Sequence, residues 1–450
     1  MNTVRISPTM YEKLRAHLLR DTPRESAAFV LVGFFVNSRG YHVVARELMF
    51  PEEKDYDDRS GYRIQVAPIF FNRVISRAEK EELAVMLCHS HPGDDKPIYS
   101  GSDDYGESIS AKTLFDCLNG KPTGSLLFGR KGLIGRIWTK PGTKPKTIDQ
   151  LRIVGRHLRL ESLGRVDTAE LRIRDDIYSR QLLAFGKKGQ QFISSLIIGI
   201  VGLGGTGSCI AEQLARLGAT SFILVDKDTF EPSNMTRVYG SYSNTRKKSK
   251  TSIAKKNIEK IQREATVKEI SKDVISQAVL SQLKDCDLVF SCTDAHAPRS
   301  VVNELCYQYF IPLIDVGAGL GTDGQRITEA SVRATLVSPE LPCLFCYGIV
   351  RPEIISAELM SPQERERRIE EGYITGYDTN APSVVSFTTT ASAMGVSLFL
   401  DALFGYMGNS SANLILDAAN FDSHRVAASV GDCVCMKRLA RGDYMPFSAP

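Results

Sequence analysis

The sequence predicts an α/β protein of two domains, and three observations support this prediction. The apolar run 197–201 precedes a group of glycines and then apolar residues at helical spacing, a pattern typical of a strand, a turn and a helix. A second apolar run, 222–225, ends in Asp226, and much earlier in the chain an apolar stretch ends in His89 and His91. We therefore expect an N-terminal α/β domain with a polar site and a C-terminal α/β domain with a mixed, mostly parallel sheet.

The composition narrows the class of protein. The chain has 450 residues, 43% of them apolar, which is enough for two or three domains. A net charge of +4 gives no argument for nucleic acid as a partner. We find no apolar run of about 18 residues and no signal-peptide pattern, so we expect a cytoplasmic protein without membrane contact. Ten cysteines in such a chain favour metal binding or buried thiols over disulfides.

The N-terminal third alternates helix and strand patterns before the two histidines. Helical patterns cover 8–19 and 68–81, and strand patterns follow Glu25 and cover 41–48 and 61–66. His89 and His91 end an apolar strand two residues apart, so both imidazoles project from the same side. Asp103 can return from the following turn as a third ligand of a zinc ion, which would leave one coordination position open for water. Zinc lowers the pKa of such a water towards neutrality, and a general base beside it makes the water a nucleophile.

The motif His-x-His-Pro, followed after seven residues by Ser-x-x-Asp, resembles the JAMM motif of the MPN/JAB metalloproteases. The resemblance implies that His89, His91 and Asp103 bind a catalytic zinc ion. It also implies that Glu25 is the general acid/base and that Ser100 stabilises the tetrahedral intermediate. The alternative is a metal-free relative kept as a binding module, because two histidines after a strand are often incidental. This zinc isopeptidase-like domain would cover 1–147, and a basic helical pattern over 148–175 predicts a linker helix.

The second domain carries a glycine-rich turn that is typical of nucleotide binding. Glycines let a backbone approach phosphate closely, and the helix start behind them offers free N–H groups; the glycines are Gly202, Gly204, Gly205 and Gly207. Asp226 stands where a Rossmann-type unit places its ribose-binding acid. This much also fits an NAD dehydrogenase. The residues that follow are Asp228, Asn234, Arg237 and Lys250, and two cations near a phosphate cradle suit three phosphates better than a dinucleotide.

From about residue 178 to the C-terminus, the sequence resembles the adenylating family of ThiF, MoeB and the ubiquitin-activating enzymes. The spacing from Asp226 to Lys250 carries the resemblance, together with a Tyr-x-Arg-Gln opening that contains Arg180. It implies a Rossmann-like adenylation domain over 176–450 that uses ATP and Mg²⁺. Arg180 would reach the nucleotide of a partner subunit in a homodimer. Asp294, at the end of the apolar strand 288–291, would hold the magnesium-bound triphosphate.

Four cysteines suggest a second, structural zinc site. Cys343 and Cys346 form a Cys-x-x-Cys pair, and Cys433 and Cys435 complete a tetrahedral set. The family commonly has two Cys-x-x-Cys pairs, whereas the second pair here is Cys-x-Cys, and four reduced thiols are the alternative. No cysteine lies between Cys346 and Cys433, where the thioester cysteine of ubiquitin-activating enzymes would stand. Either the adenylate passes to another protein's nucleophile, or a cysteine from elsewhere moves in.

These resemblances together predict a bifunctional enzyme. The zinc site would trim a precursor or cut a conjugate of a ubiquitin-like protein, and the second site would adenylate the freed C-terminus. A conjugating enzyme would be a further partner, as in bacterial ubiquitin-like conjugation systems, some of them antiviral. Activation of a sulfur-carrier protein for thiocarboxylate formation is the nearest alternative. A regulatory binding module with one inactive site is an alternative from another class.

Overall fold

The computed structural model of the chain describes residues 1–61, 63–163, 174–245, 247–372, 382–408, 412–431 and 433–447. The chain forms two compact units. Unit 1 comprises Met1–Thr168, Gln308–Phe310 and Arg438–Pro446, and unit 2 comprises Ala169–Tyr307, Ile311–Lys437 and Phe447–Pro450.

Unit 1 is built on a nine-stranded sheet. Its helices are α1 (Pro8–Leu19), α2 (Pro68–Lys80) and α3 (Gly101–Cys117). Its strands are β1 (Thr3–Ile6), β2 (Ala27–Asn37), β3 (Gly40–Met49), β4 (Tyr56–Arg59), β5 (Ile64–Val66), β6 (Ala84–Ser90), β7 (Thr123–Phe128), β8 (Leu133–Trp138), β9 (Lys146–Thr147), β10 (Gln150–Val154) and β11 (Leu158–Ser162). The strand order in the sheet is β11-β10-β1-β3-β2-β6-β7-β8-β9, and β4 and β5 form a separate ribbon.

The central strand β2 is covered on both faces, which explains its continuous apolar sequence. Val30 and Val32 belong to a core cluster that includes Leu14 of α1. Phe29 belongs to a second cluster that includes Val74 of α2. Successive side chains of a strand point to opposite faces, so this single strand contributes to both cores. Its neighbour β6 is also largely buried and ends at Ser90, so the histidine pair lies at the carboxyl end of this strand.

The predicted linker helix over 148–175 is wrong where the structure describes it. Residues 150–162 form the hairpin of β10 and β11, and β10 pairs in parallel with β1. The physical reason is a two-residue alternation: Leu151 and Ile153 are buried in the unit 1 core, and a strand places such residues on one face. Residues 164–173 lie outside the described residues, and the next helix begins at Asp175.

The C-terminal segment 438–446 is a second departure from the predicted boundaries, because it belongs to unit 1 rather than to the 176–450 domain. Gly442 forms a bridge with Phe34, and the Asp443 N–H donates to the Phe34 carbonyl at 2.7 Å. Gly33 makes this approach possible, because a Cβ there would lie 2.1 Å from the carbonyl oxygen of Ala440. Such a long-range fit has no local sequence signal.

Unit 2 contains the predicted mixed sheet. Its helices are α4 (Asp175–Ser195), α5 (Gly205–Arg216), α6 (Lys250–Ile261), α7 (Gln277–Leu283), α8 (His296–Tyr309), α9 (Pro352–Leu359), α10 (Pro362–Glu370), α11 (Val385–Phe404) and α12 (Val434–Arg438). Its strands are β12 (Ile197–Val201), β13 (Ser221–Val225), β14 (Thr266–Ile270), β15 (Leu288–Ser291), β16 (Leu313–Thr322), β17 (Ile327–Val337), β18 (Asn413–Asp417) and β19 (Asp422–Arg425).

The eight strands of this sheet run in the order β14-β13-β12-β15-β16-β17-β18-β19. The first five are parallel, and β16 to β19 are joined by antiparallel pairing. The fold class predicted from the sequence is thereby confirmed. Open parallel sheets bind ligands beyond the carboxyl ends of their strands, and the glycine turn after β12 lies at that edge.

Helix α11 is long and apolar enough to cross a membrane by length and composition. Half of its apolar segment is buried inside the structure. Gly395 lets the helix approach the sheet, because a Cβ there would lie 2.6 Å from Val316, and the Ser392 hydroxyl donates to the Thr206 carbonyl of α5 at 2.9 Å. A buried core helix can have the same length and composition. In unit 2 this helix covers the sheet beside the glycine turn.

Candidate metal centre and nucleotide pocket

His89, His91 and Asp103 converge in unit 1, with one ligand atom of each lying within 4.8 Å of the others. His89 Nε2 lies 3.1 Å from Asp103 Oδ1, and His91 Nε2 lies 3.5 Å from Asp103 Oδ2. The end of β6 supplies the histidines, and the first turn of α3 supplies the aspartate. The structure thus brings together the three predicted ligands of the catalytic zinc.

The first turn of α3 fixes the orientation of Asp103. Ser100 is the N-cap residue, and its backbone N–H donates to Asp103 Oδ2 at 2.6 Å. The Ser100 hydroxyl lies 2.8 Å from the same oxygen, and the Asp103 N–H bonds back to it at 3.1 Å. This is a capping box. Burial raises the pKa of Asp103, but His89 and Ser100 outweigh it and lower the pKa overall. The assignment of Ser100 to the tetrahedral intermediate stays a prediction.

Glu25 lies beside the ligand cluster, just before β2. Its Oε1 is 3.7 Å from His91 Nε2, and the residue is only 6% exposed. Burial is the main cause that raises the pKa of this carboxyl to about 7; His89 acts in the lowering direction and Asp103 in the raising direction. A carboxyl group with a pKa near neutrality is suited to accept and return a proton, as a general acid/base must.

The residues present fit a zinc ion. Two imidazole nitrogens and one carboxylate oxygen are the donors that zinc takes in catalytic sites with one open position. His89 Nε2 is buried and lies 3.1 Å from Asp103 Oδ1, a placement that suits two ligands of one metal ion.

The nucleotide pocket of unit 2 is a cavity of about 360 Å³. It lies at the carboxyl ends of the parallel strands. Most of the predicted binding residues line it: Gly202, Gly204, Gly205, Asp226, Asp228, Arg237, Lys250 and Asp294. The predicted residues Gly207, Asn234 and Arg180 are not among the lining residues that the structure describes.

The glycines of the turn have different roles. Gly202 has a φ of +85°, which favours glycine, and its N–H donates to the Val225 carbonyl at 2.8 Å. Gly204 is the N-cap residue of α5, and nothing lies within 4 Å of the position of a Cβ there. Gly207 is buried, and a Cβ there would lie 1.8 Å from the Gly202 carbonyl oxygen. Gly207 therefore serves the packing of α5 against the turn, and the backbone at Gly204 remains open to a ligand.

Backbone N–H groups hold Asp226 at the end of β13. The Leu203 N–H donates to Oδ2 at 2.6 Å, and the Asp228 N–H donates to Oδ1 at 2.8 Å. Burial raises the pKa of Asp226, and these two hydrogen bonds act in the lowering direction. The carboxylate is fixed beside the glycine turn, where the predicted ribose would lie.

Two positively charged side chains line the pocket, and each is held by a different hydrogen-bond acceptor. Lys250, the first residue of α6, donates from Nζ to Asp228 Oδ2 at 2.7 Å. Arg237 donates to the Ser233 carbonyl at 2.8 Å. Asn234 lies three residues before Arg237, and its side-chain oxygen accepts from the Glu231 N–H at 3.0 Å, so it shapes the loop that carries Arg237. Its predicted contact with the nucleotide stays a prediction.

A cluster of buried charged side chains lies beside the pocket, and the sequence motifs did not predict it. Asp315 is fully buried; its Oδ1 lies 2.6 Å from Arg333 Nη2 and its Oδ2 lies 3.3 Å from Arg299 Nε. Arg299 also lines the pocket. The sequence signal for this cluster is an acid inside the apolar run 313–316, because such an acid needs a buried cation.

Arg180 is exposed on α4, and its predicted role requires a second copy of the chain.

The cysteines form a second candidate metal site. One sulfur each from Cys343, Cys433 and Cys435 lies within 4.8 Å of the other two. Cys346 lies 3.6 Å from Cys343 but outside that mutual group. The Asn303 side chain donates to Cys435 at 2.9 Å. A hydrogen bond from Cys435 is the main cause that lowers the pKa of Cys343 to about 5, which suits a zinc thiolate.

Comparison with known proteins assigns two parts of the chain to known families. The profile of the ThiF family matches residues 178–435, and that of the prokaryotic homologs of the JAB domain matches residues 7–125. The tRNA threonylcarbamoyladenosine dehydratase of Bacillus subtilis (strain 168) is 31% identical over 165 residues, 36% of this chain and 65% of that protein. The sulfur carrier protein ThiS adenylyltransferase of the same organism is 28% identical over 173 residues, 38% of this chain and 49% of that protein.

The chain therefore spans less than two thirds of the length of either relative. Among solved structures, E. coli MccB with selenomethionyl MccA has 18% sequence identity and a TM-score of 0.47. The match covers 59% of this chain and 75% of that one.

Proposed function

Since the chain belongs to the ThiF family and carries a JAB domain, we propose that it processes and then activates the C-terminus of a ubiquitin-like protein. The observation that carries the proposal is the cavity at the glycine turn, where Arg237, Lys250 and Asp294 surround an open helix N-terminus. Separated charges around free backbone N–H groups suit a triphosphate.

The proposed reaction in unit 2 is adenylation. A carboxylate oxygen of the substrate attacks the α-phosphorus of ATP and forms a new oxygen–phosphorus bond. The bond between the α-phosphorus and the oxygen that bridges to the β-phosphorus breaks. Pyrophosphate leaves with the electron pair of that bond. The α5 N-terminus at Gly204 and Gly205 would receive the phosphates, and Arg237 and Lys250 would offset their charge. Asp294 would hold Mg²⁺, which when bound shares the charge of the phosphate oxygens.

The proposed reaction in unit 1 is hydrolysis of a peptide or isopeptide bond. His89, His91 and Asp103 would hold Zn²⁺, which when bound polarises the scissile carbonyl and lowers the pKa of water. Glu25 would take a proton from the attacking water and return it to the leaving amine, a role supported by its position and its raised pKa. Ser100 would donate to the developing oxyanion.

The two sites on one chain support a common substrate, because hydrolysis of a C-terminal tail produces the carboxylate that adenylation needs. We extend the proposal to a cytoplasmic homodimer in which Arg180 completes the partner's pocket. The cysteine cluster would hold a structural zinc ion. Hand-over to a conjugating enzyme in a bacterial ubiquitin-like, antiviral pathway is the setting that the paired domains favour.

Activation of a sulfur carrier is the second candidate. It is favoured by the absence of a cysteine between Cys346 and Cys433 and by the name of the ThiS adenylyltransferase relative. In that reaction the acyl-adenylate would accept sulfur instead of forming a thioester on this chain.

The test is pyrophosphate exchange into ATP with a panel of ubiquitin-like and sulfur-carrier proteins that end in a free glycine. We expect exchange with members of one class and a loss of about 100-fold or more in Lys250→Ala. Lys248→Ala is the matched control, because this exposed lysine lies two residues earlier and does not line the pocket. Its exchange rate should equal that of the parent. Absence of exchange with the whole panel would contradict the adenylation assignment.

A further inference from the structure

Glu107 is a buried carboxylate on α3, one helical turn after Asp103. The residue is 6% exposed, and its Oε1 lies 3.9 Å from His89 Nδ1. This oxygen is buried and has no hydrogen-bond partner in the described part of the chain. Residues four apart on a helix face the same side, so Asp103 and Glu107 approach the His89 ring from one element.

The other oxygen of Glu107 is firmly held. Its Oε2 accepts hydrogen bonds from the Ser125 hydroxyl and from Arg136 Nε, each at 2.8 Å. The Arg136 guanidinium lies 3.7 Å from the ring centre of Tyr99, and the Tyr99 hydroxyl is 2.9 Å from the Ser125 hydroxyl. Two donors therefore fix the carboxylate, Tyr99 in turn contacts both of them, and the other carboxylate oxygen lies nearest to the histidine.

The two nitrogens of His89 face different groups. Nε2 lies in the ligand cluster, 3.1 Å from Asp103 Oδ1, and Nδ1 faces Glu107. A neutral imidazole binds a cation through its unprotonated nitrogen, so a metal on Nε2 requires the proton on Nδ1. A buried carboxylate oxygen 3.9 Å from Nδ1 favours that tautomer, because its negative charge attracts the proton on Nδ1.

We propose that Glu107 is a positioning residue that accepts the Nδ1–H of His89 and so keeps Nε2 free to bind the metal ion. The inference rests on the proposed function of His89, His91 and Asp103 as a metal centre. It assigns to Glu107 an effect on metal affinity, distinct from the proton transfer assigned to Glu25.

The other histidine provides an internal comparison. His91 Nδ1 lies 3.6 Å from Asp94 Oδ2, but the Asp94 side chain is 55% exposed. Water replaces the hydrogen bond of an exposed carboxylate at little cost, whereas a buried site offers no substitute. Asp94→Asn is thus the matched control for Glu107→Gln, since both remove one charge beside a histidine of the same cluster.

Glutamine at position 107 is a specific probe. Its single carbonyl oxygen would accept from Ser125 and Arg136, and its NH₂ group would then face His89 Nδ1. A donor in that place favours the tautomer with the proton on Nε2, which opposes metal binding. The side-chain volume and the two bonds to Oε2 are nearly kept, so a loss of fold is not expected.

The experiment measures Zn²⁺ affinity of the full chain by competition with a chromophoric chelator, together with the visible spectrum of the Co²⁺ form. His89→Ala serves to subtract metal bound at the cysteine cluster. We expect Glu107→Gln to lose about 10-fold to 100-fold in affinity and to change the Co²⁺ spectrum, and Asp94→Asn to stay within about threefold.

Three results would overturn the inference. Zn²⁺ affinity of Glu107→Gln equal to that of the parent would show that Glu107 has no role at His89. A lower thermal midpoint of the metal-free variant with unchanged affinity would show a purely structural role. A parent that binds no more metal than His89→Ala would overturn the metal centre itself, and with it the role of Glu107.

Discussion

In the metal centre, His89 Nε2 and Asp103 Oδ1 lie 3.1 Å apart, whereas the charged side chains of the nucleotide pocket stand around a cavity of about 360 Å³. In the pocket, Lys250 donates to Asp228 at 2.7 Å and Arg237 donates to the Ser233 carbonyl at 2.8 Å. Donor atoms that converge within 4.8 Å of one another suit a bare cation. Separated charges beside free backbone N–H groups indicate a larger, polyanionic substrate. The distance between the polar groups therefore distinguishes the two kinds of site.

The strongest test of the metal centre separates its ligands from its base. Glu25→Gln should reduce cleavage of tailed ubiquitin-like substrates by about 10²-fold to 10⁴-fold, because glutamine cannot accept the proton from water. Metal content should stay at the parent level, since His89, His91 and Asp103 remain. Metal analysis and cleavage assays check both outcomes. A parallel loss of zinc would place Glu25 among the ligands instead.

Removal of the C-terminal segment 438–446 should affect only unit 1. Among the hydrogen bonds that a chain ending at Lys437 loses are those from Asp443 N–H to Phe34, from Tyr309 to Asp443 and from Arg441 to Glu81. At about 1 kcal/mol each, these three alone account for about 3 kcal/mol, so the midpoint of unit 1 should fall by at least roughly 6–12 °C.

The fluorescence of Trp138 reports this change, because it is the only tryptophan of the chain and lies in β8. A chain that ends at Phe447 keeps the whole segment and is the control. ATP binding by unit 2 should not change. An unaltered Trp138 transition in the shorter chain would contradict the assignment of the segment to unit 1.

The nucleotide pocket can be tested with two glycines of one turn. Gly207→Ala should destabilise the turn by about 1–3 kcal/mol, because its Cβ would lie 1.8 Å from the Gly202 carbonyl oxygen. Gly204→Ala should leave the fold intact, since no atom lies within 4 Å of its Cβ, and should instead weaken ATP binding. Hydrogen exchange of peptides from 197–217 and ATP titration separate the two effects. Equal protection in both variants would contradict the different roles assigned to them.

The smallest expected effect concerns pH and unit 1 alone. His42 is buried between Thr3 and Asn37, at 2.7 Å and 2.6 Å, and burial together with Arg5, Arg152 and Arg39 lowers its pKa well below 6.5. Below about pH 6.5, the His42 imidazole binds a proton in the unfolded chain but stays neutral in the folded chain. The free energy of unfolding therefore falls as the pH decreases.

Between pH 6.5 and 5.5, the parent should lose about 1 kcal/mol more than His42→Gln. Urea unfolding followed by Trp138 fluorescence gives both values, and titrating groups shared by the two proteins cancel in the difference. The same pH dependence in parent and variant would show that His42 is not held neutral.

Local signals made much of unit 2 predictable. The apolar runs and glycines define β12, β15 and the start of α5, and the observed bounds of β12 and β15 equal the predicted ones. The ligands His89, His91 and Asp103 were predictable because both supporting elements lie within 15 residues of one another. Short-range patterns of this kind need no knowledge of the tertiary fold.

Long-range partners were not predictable. The basic pattern over 148–175 predicts a helix where the β10–β11 hairpin lies, because the strand state depends on pairing with β1, more than 140 residues away in sequence. The place of Gly442 against Phe34 depends on a similarly distant contact. Glu107 is different, because its spacing of four residues from Asp103 within one helix is a local signal present in the sequence.

The central claim is that unit 1 prepares the carboxylate that unit 2 activates. The direct measurement is pyrophosphate exchange with one carrier in two forms, ending at its glycine or continuing with a short tail. The parent should support exchange with both forms, Glu25→Gln with the glycine form alone, and Asp294→Ala with neither. Full exchange of Glu25→Gln with the tailed form would contradict the claim, because activation would then be independent of the metal centre.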